Sequence, residues 1–292
     1  FVGFWPNLFQ DDNYFYNLLN QKYDVKIDFE NPDIVFYSVD YERKNEIRKY
    51  MDKPCKKIFY TGENALPDWN MCDLAFTFSY DSHGGKNHRL PLWALLINWW
   101  DRPYIQERDH AYLFDHHKLI HREKPDRRKN LFCNFVYTQP KGRRVEFYPK
   151  LYERYGQGHI VSAGSVYNNT GSKIPGRGDT IEKIQYINKF KFTVSFENES
   201  ASGYQTEKIF HPLGVQSIPI YWGNPTPDTD FNPECFINAN GKTDQQVFEE
   251  IDRINHDDDL YNHMITQPIF QGGNVPEFAQ PGTVRQRIEG IL

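Results

Sequence analysis

The densest group of residues able to do chemistry runs Phe196-Glu197-Asn198-Glu199-Ser200-Ala201-Ser202-Gly203-Tyr204-Gln205-Thr206-Glu207-Lys208-Ile209. It follows a predicted strand and opens a predicted helix. Thr206 can cap that helix, which puts Glu207 in the first turn, where the helix dipole favours a carboxylate. The free N–H groups of such a turn form an anion site, and Lys208 adds a full positive charge. An ordinary capped helix with a surface Glu–Lys pair fits the same residues equally well. A second group, Tyr60-Thr61-Gly62-Glu63-Asn64, ends a predicted strand. Glu63 could serve there as a general base, although local sequence alone favours a solvated turn carboxylate. A third, Arg143-Arg144-Val145-Glu146-Phe147-Tyr148, opens a helix with two cations that could face a diphosphate or simply water.

Other groups say less. The Asp228-Thr229-Asp230 triplet has the form of an acidic metal-binding motif of nucleotide-sugar enzymes. It lies in a Pro-rich stretch after Trp222-Gly223-Asn224-Pro225, where a turn is the better reading. His110, His116, His117 and His121 share a charged segment, but with no acidic residue at a familiar ligand offset they read as a polar loop. Cys55, Cys72, Cys133 and Cys235 form no CxxC pair, so free thiols in a reducing compartment are expected. No GxxxxGKS/T or GxSxG pattern occurs, which argues against a P-loop NTPase or an α/β-hydrolase.

Alternating strands and helices must position these groups. In the first part, strands are expected at 2–5, 23–27, 33–38 and 57–61, with helices at 14–19 and 42–51. The pattern breaks at 101–130, a charged stretch containing Arg122, Lys124, Arg127, Arg128 and Lys129 that reads as a surface connector. It restarts with strands at 131–137, 159–162, 192–197 and 218–223 and helices at 143–155, 180–190, 206–215 and 244–255. Such alternation predicts parallel sheets with crossover helices, and ligands beyond the carboxyl ends of the strands. The expected fold class is α/β, with two Rossmann-like domains facing a cleft. The expected divisions are 1–130 including the connector, 131–270, and a tail, 271–292, packing as a closing helix.

The chain has 292 residues and a formal charge of −5, which counts against a dedicated nucleic-acid binder. Aromatic residues make up 16%, which suits amphipathic ligands such as sugars but also fills cores. The longest apolar candidate, Trp93 to Trp100, is too short to span a membrane. The first residues lack a basic segment followed by an apolar stretch, so no signal peptide is expected. The tail carries Arg285 and Arg287 against Glu289, thin for a polybasic anchor, so membrane association is expected to be peripheral at most.

Several of these motifs together resemble a known family. Ser195-Phe196-Glu197-Asn198, Gly203-Tyr204-Gln205-Thr206-Glu207-Lys208-Ile209 and Ser217-Ile218-Pro219-Ile220-Tyr221-Trp222-Gly223 resemble the donor-binding signature of the α1,3-fucosyltransferases. The resemblance continues through Asp230-Phe231-Asn232-Pro233 and Phe236-Ile237-Asn238. Phe59-Tyr60-Thr61-Gly62-Glu63-Asn64 resembles the family's acceptor-domain motif, and Arg144-Val145-Glu146-Phe147-Tyr148 its R-x-x-F-Y helix. Short length and scarce cysteine are similar to bacterial members.

The resemblance implies a GT-B type glycosyltransferase with an N-terminal acceptor domain and a C-terminal donor domain. It implies inverting transfer of L-fucose from GDP-β-L-fucose to the 3-hydroxyl of GlcNAc in Galβ1-4GlcNAc-type glycans, giving a Lewis x type product without a required metal or other cofactor. Under it, Glu63 is the general base and Tyr60 lines the acceptor site. Lys208 and Arg144 grip the diphosphate, Glu207 stabilises charge at the anomeric carbon, and Asn198 and Tyr204 contact the nucleotide sugar. A cytoplasmic enzyme, at most peripheral at the inner membrane, follows from the bacterial resemblance. The chain departs from the family at Gln205, at Gln216-Ser217, and at Ala163-Gly164-Ser165, which stands for a Gly-Gly-basic turn. The alternatives are a metal-dependent glycosyltransferase of other donor specificity using Asp228 and Asp230, and a non-catalytic glycan-binding module.

Overall fold

The structure, a computed structural model, describes residues 1–5, 8–39, 46–102, 111–125, 129–174 and 180–292. The described residues fall into two compact units, one of 1–95 with 276–292, the other of 96–102 with 111–275.

Among its described residues the first unit holds a four-stranded parallel sheet in the order β1 (Ile34–Tyr37), β2 (Lys56–Tyr60), β3 (Leu74–Thr77) and β4 (Asn87–Arg89). The central strands are near-continuous apolar runs because both faces are covered. On one face lies α1 (Tyr14–Asn20), capped by the Asn13 side chain, which accepts from Tyr16 N. Its Phe15 ring stacks on Phe36 at 4.7 Å and meets Tyr60 edge-on at 5.3 Å. On the other, Val35, Tyr37, Phe59 and Ala75 pack with Ile47, Tyr50, Cys55 and Cys72. The expected first strand is reduced to one parallel bridge, Val2 to Tyr37, because Gly3 turns away at φ 67°. Tyr23 to Ile27 alternates but forms no strand; it is mostly exposed and has no neighbour to pair with. The expected 42–51 helix is a 3₁₀ helix over Glu46–Tyr50, and residues 42–45 lie outside the described residues.

The expected connector is built into the second unit instead of running over the surface. Here β5 (Ile97–Asn98) pairs in parallel with β6 (Phe114–Asp115), which leads into α2 (His116–Ile120). Phe114 and Leu119 are buried, and the Arg122 guanidinium donates to Leu213 O at 2.7 Å. The unit boundary therefore falls at 95/96 rather than at 130/131. His110, Arg127 and Arg128 lie outside the described residues.

The main sheet of this unit takes its strands from β7 (Leu131–Asn134), β8 (Ile160–Val161), β9 (Phe190–Phe196), β10 (Ile218–Trp222) and β11 (Ile237–Asn238). All pairs are parallel and the order is β11-β10-β9-β7-β8. Strand order reverses between β7 and β9, the topological switch point where such sheets bind ligands at their carboxyl ends. One face is packed by α3 (Arg144–Tyr155), through Phe147 and Leu151, and by apolar residues that α6 (Asp244–His256) and α7 (Asp258–Thr266) supply. The other is covered by α4 (Ile181–Ile187) and α5 (Glu207–Gly214). Finally α8 (Pro281–Glu289) returns to the first unit, where Glu289 accepts from Lys22 Nζ at 2.8 Å and Tyr23 OH at 2.7 Å. The tail helix α8 thus packs on the first unit.

The loop after β8 packs backbone to backbone. A Cβ on Gly164 would lie 2.3 Å from Tyr137 O and 2.5 Å from Tyr137 N. Gly164→Ala should therefore cost about 1–3 kcal/mol, as overpacking usually does, visible as a lowered melting temperature; an unchanged melt would show that the loop is free to shift.

Candidate active site

The second unit's site begins with a buried charge. Glu197, the residue after β9, has no exposed surface. Its carboxylate accepts from Thr206 N at 2.9 Å and from Thr206 Oγ1 at 3.0 and 2.8 Å, and pairs with Lys208 Nζ at 3.3 Å. Thr206 also caps α5, its side chain accepting from Lys208 N. Lys208 Nζ further reaches Glu207 Oε1 at 3.2 Å and Thr206 Oγ1 at 3.2 Å. Gly223 is required beside this cluster, since a Cβ there would lie 2.4 Å from Glu197 Cγ.

One cation between two carboxylates divides their titration. Burial pushes the Glu197 carboxyl up, and the Glu207 charge adds to that rise against Lys208. Burial also pushes Glu207 up, but Lys208, Lys183 and His211 outweigh it and hold Glu207 well below the ordinary carboxylate range. Lys208 is pushed down by burial and up, on balance, by Glu207 and Glu197. Burial and the neighbouring lysines keep His211, on the same helix, neutral.

Arg144 sits at the switch point. It is 1% exposed. Its guanidinium donates to Phe196 O at 2.7 and 3.2 Å, to Asn198 Oδ1 at 2.8 Å and to Gln139 O at 3.4 Å, and it lies over the Tyr137 ring at 4.1 Å. Tyr137 in turn donates to Val194 O and accepts from Phe196 N. Arg144 thus joins the carboxyl ends of β7 and β9 and fixes the Asn198 side chain. The adjacent Arg143 turns elsewhere, donating to Asp244 Oδ1, Ala239 O and Lys242 O.

The loop carrying Tyr204 is tied to the one after β10. Asn224, fully buried, accepts from Gly203 N at 2.9 Å and donates to Gln205 Oε1 at 3.1 Å, while Gln205 donates to Pro227 O. Tyr204 is 2% exposed, and its carbonyl accepts from Tyr221 OH. The second unit thus brings Arg144, Asn198, Tyr204, Glu207 and Lys208 to one sheet edge. Sequence reasoning assigned no role to Glu197, Tyr137 or Asn224. The available signal was an acid at a strand end, followed by a Thr-Glu-Lys helix start.

Tyr60 and Glu63 lie in the first unit. Tyr60 is fully buried, with the Phe4, Trp5 and Phe15 rings around it. Burial, and the nearby Tyr14 and Glu63, push its phenol well up. Glu63 is half-buried in the turn after β2, where its N–H donates to Thr61 Oγ1 at 3.0 Å and its carbonyl accepts from Ala65 N at 2.8 Å. Asp228 is exposed in the 3₁₀ turn Pro227–Thr229, whereas Asp230 is fully buried, so the pair presents no joint ligand set. Among the described residues no group of three or more His, Cys, Asp or Glu could hold a metal ion. The His116 and His117 rings on α2 lie 4.0 Å apart, tilted by 37°, and the four cysteines are free and buried. No helix among the described residues is long and apolar enough to cross a membrane.

Residues 1–96 match the family model of the α-(1,3)-fucosyltransferase FucT N-terminal domain, and 125–266 match that of the glycosyltransferase family 10 (fucosyltransferase) C-terminal region. The chain belongs to the α1,3-fucosyltransferase family. A Helicobacter pylori α-(1,3)-fucosyltransferase is 30% identical over 272 residues, 85% of this chain and 53% of that protein. A Drosophila melanogaster α-(1,3)-fucosyltransferase B is 32% identical over 83 residues, 28% of this chain and 19% of that protein. The chain thus spans about half the length of the Helicobacter relative, or less of the other. A crystal structure of an α1,3-fucosyltransferase superposes with a TM-score of 0.73 at 23% identity, covering 96% of this chain and 84% of that one. Another, with GDP-fucose, gives 0.71 at 23%, covering 96% and 85%. The fold of this fucosyltransferase family member is accordingly of the GT-B type expected from the sequence.

The ion cluster makes its own test. Lys208→Met leaves the buried Glu197 and the largely buried Glu207 without their cation and should cost roughly 3–5 kcal/mol of stability near neutral pH. Both carboxyls would then titrate above their unfolded values, and a raised folded pKa means stability is regained as pH falls through it. In the unaltered chain Glu207 is depressed, so its contribution persists until pH falls below the ordinary carboxylate range. The deficit of Lys208→Met in thermal melts should shrink between about pH 8 and about pH 5; a pH-independent deficit would mean that the lysine acts only through packing.

Proposed function

We propose that this chain is a GDP-fucose-dependent α1,3-fucosyltransferase, transferring L-fucose from GDP-β-L-fucose to the 3-hydroxyl of GlcNAc in Galβ1-4GlcNAc-type acceptors, with inversion and a Lewis x type product. The observation that carries the reading is the cluster at the start of α5: a lysine held cationic by two carboxylates, on the carboxyl edge of a parallel sheet at its switch point. Membership of the family and likeness to an α1,3-fucosyltransferase with GDP-fucose support the choice of donor.

In this reading Lys208 meets the diphosphate and stabilises the charge that grows on GDP as the anomeric C–O bond breaks. Glu207, held ionised, faces the fucose, where a carboxylate stabilises oxocarbenium character. Asn198 and Tyr204 contact the nucleotide sugar. Arg144 adds positive charge and, through its bond to Asn198 Oδ1, sets that side chain's direction. Glu63 takes the proton from the acceptor hydroxyl as its oxygen attacks, and Tyr60 belongs to the acceptor side. No cofactor is invoked beyond the donor substrate. A metal-dependent reading is disfavoured by the separation of Asp228 and Asp230 into an exposed and a buried side chain.

Assays of GDP release with several nucleotide sugars and acceptors test the reading, which expects GDP-fucose to be used and activity to persist in EDTA. Glu63→Gln should lower kcat by roughly 10²–10⁴-fold, the usual worth of a general base, with GDP-fucose affinity unchanged; near-normal turnover at saturating acceptor would move the base to Glu207. Lys208→Glu should sharply weaken GDP binding, measured by calorimetry on folded protein, because it sets a like charge beside the diphosphate.

A further inference from the structure

Two helices of the second unit start side by side. β8 leads through α4 into β9, and β9 leads through α5 into β10, so both helices run from the carboxyl edge of the sheet back to its amino edge. α4 packs on α5 and on β9, with Ile184 and Ile187 buried. The first turn of α5 carries Glu207, and the first turn of α4 carries Lys183. A cation at that end opposes the helix dipole, which favours the neighbouring Glu182 instead. Helix formation therefore does not account for Lys183.

Lys183 and Glu207 line one small cavity, of about 20 Å³, with room for a single water. Lys208, His211, Tyr137 and Thr193 line it with them. The charges around Glu207 come from three elements. Its own helix supplies Lys208, whose Nζ reaches Oε1 at 3.2 Å, and His211 one turn on. The end of β9 supplies the buried Glu197, and α4 supplies Lys183. Arg144 and Tyr204 act on Lys208 rather than on Glu207. Burial, and after it the Lys183 charge, keep His211 neutral. Burial pushes the Glu207 carboxyl up, and Lys208 and then Lys183 hold it down.

Lys208 already serves two carboxylates, Glu197 and Glu207. In the donor reading it must serve a diphosphate as well. An arriving diphosphate draws on the Lys208 charge and repels Glu207. Both effects favour protonating Glu207 at the moment when an ionised carboxylate is needed beside the sugar. A cation from outside the Lys208 cluster offsets this, and α4 supplies one.

We propose that Lys183 is a positioning residue for fucosyl transfer, the second counter-ion of Glu207, which keeps that carboxylate charged and in place once the diphosphate engages Lys208. The proposal rests on the donor reading of the Lys208 site and adds what sustains Glu207 within it.

Steady-state kinetics of GDP release from GDP-fucose, followed across pH, test it. The proteins are the unaltered chain, Lys183→Met, Lys183→Arg, Glu207→Gln and the double variant, each shown to be folded by its melting temperature. Lys183→Met should lower kcat roughly 10–100-fold, less than a direct contact to the reacting charge is worth, with KM for GDP-fucose near that of the unaltered chain. Its acid limb should move up in pH and steepen, because a second carboxylate then titrates beside Glu63. Lys183→Arg should restore both. In the Glu207→Gln background Lys183→Met should add little, since the charge it sustains has gone. An unchanged kcat and pH profile in Lys183→Met, or the same loss in the Glu207→Gln background, would overturn the counter-ion role alone. So would a raised KM at unchanged kcat, which would make Lys183 a ligand of the diphosphate. Normal turnover in Glu207→Gln, or no GDP release by the unaltered chain, would overturn the donor reading, and this proposal with it.

Discussion

A carboxylate without access to water organises one edge of this protein. Taking an ion such as Glu197 out of solvent costs several kcal/mol unless it is paired and hydrogen-bonded. Here the compensation comes from Thr206, through both its N–H and its hydroxyl, and from the Lys208 ammonium. Those partners can reach it only if α5 starts where it does, beside the end of β9. Gly223 must likewise remain without a side chain for the loop after β10 to close over Glu197. The positions of a strand end, a helix start and a neighbouring turn are therefore coupled through one buried charge.

The parallel sheet determines what that coupling is for. Its order reverses between β7 and β9, leaving a crevice that no crossover connection covers. Arg144 bridges the crevice with hydrogen bonds to Phe196 O, Gln139 O and Asn198, over the face of Tyr137. A guanidinium suits this role because its planar fork can serve several oxygens and an aromatic face together. The Gln205–Asn224 amide pair ties the Tyr204 loop to the loop after β10. The site is thus preorganised by backbone-directed bonds, and Lys208 and Glu207 are held in opposite charge states before any ligand arrives.

The first unit follows different physics. Its edge carries no comparable ion cluster among the described residues; Glu63 stands in a tight turn, next to a core of stacked aromatic rings. The C-terminal segment secures this unit, with Phe278 O, in the turn before α8, bonded to His88 at 2.7 Å, and Glu289 of α8 bonded to Lys22 and Tyr23.

Much of the frame was legible in the sequence because its causes are local. The apolar runs of β9 and β10, the periodic faces of α3 and α6, and the Thr-Glu-Lys start of α5 announce their elements through patterning and capping. The long motifs carried the family. What stayed hidden depends on residues far apart in the chain. Asn87–Arg89 becomes a strand only because β3 offers it an edge, and Tyr23 to Ile27, which alternates better, has no edge and stays irregular. The 101–130 stretch reads as a charged connector, yet Phe114 is held against Gly214, where a Cβ would meet its ring at 2.3 Å. Glu197 reads as the last residue of a strand, and only packing took its carboxyl out of water, against Thr206 and Lys208. Sequence alone determined the elements whose patterning and capping are local, β9, β10, α3, α5 and α6 among them. The tertiary structure decided which of those residues lose water and find a partner, because desolvation and hydrogen-bond pairing are properties of the assembled sheet, not of any segment.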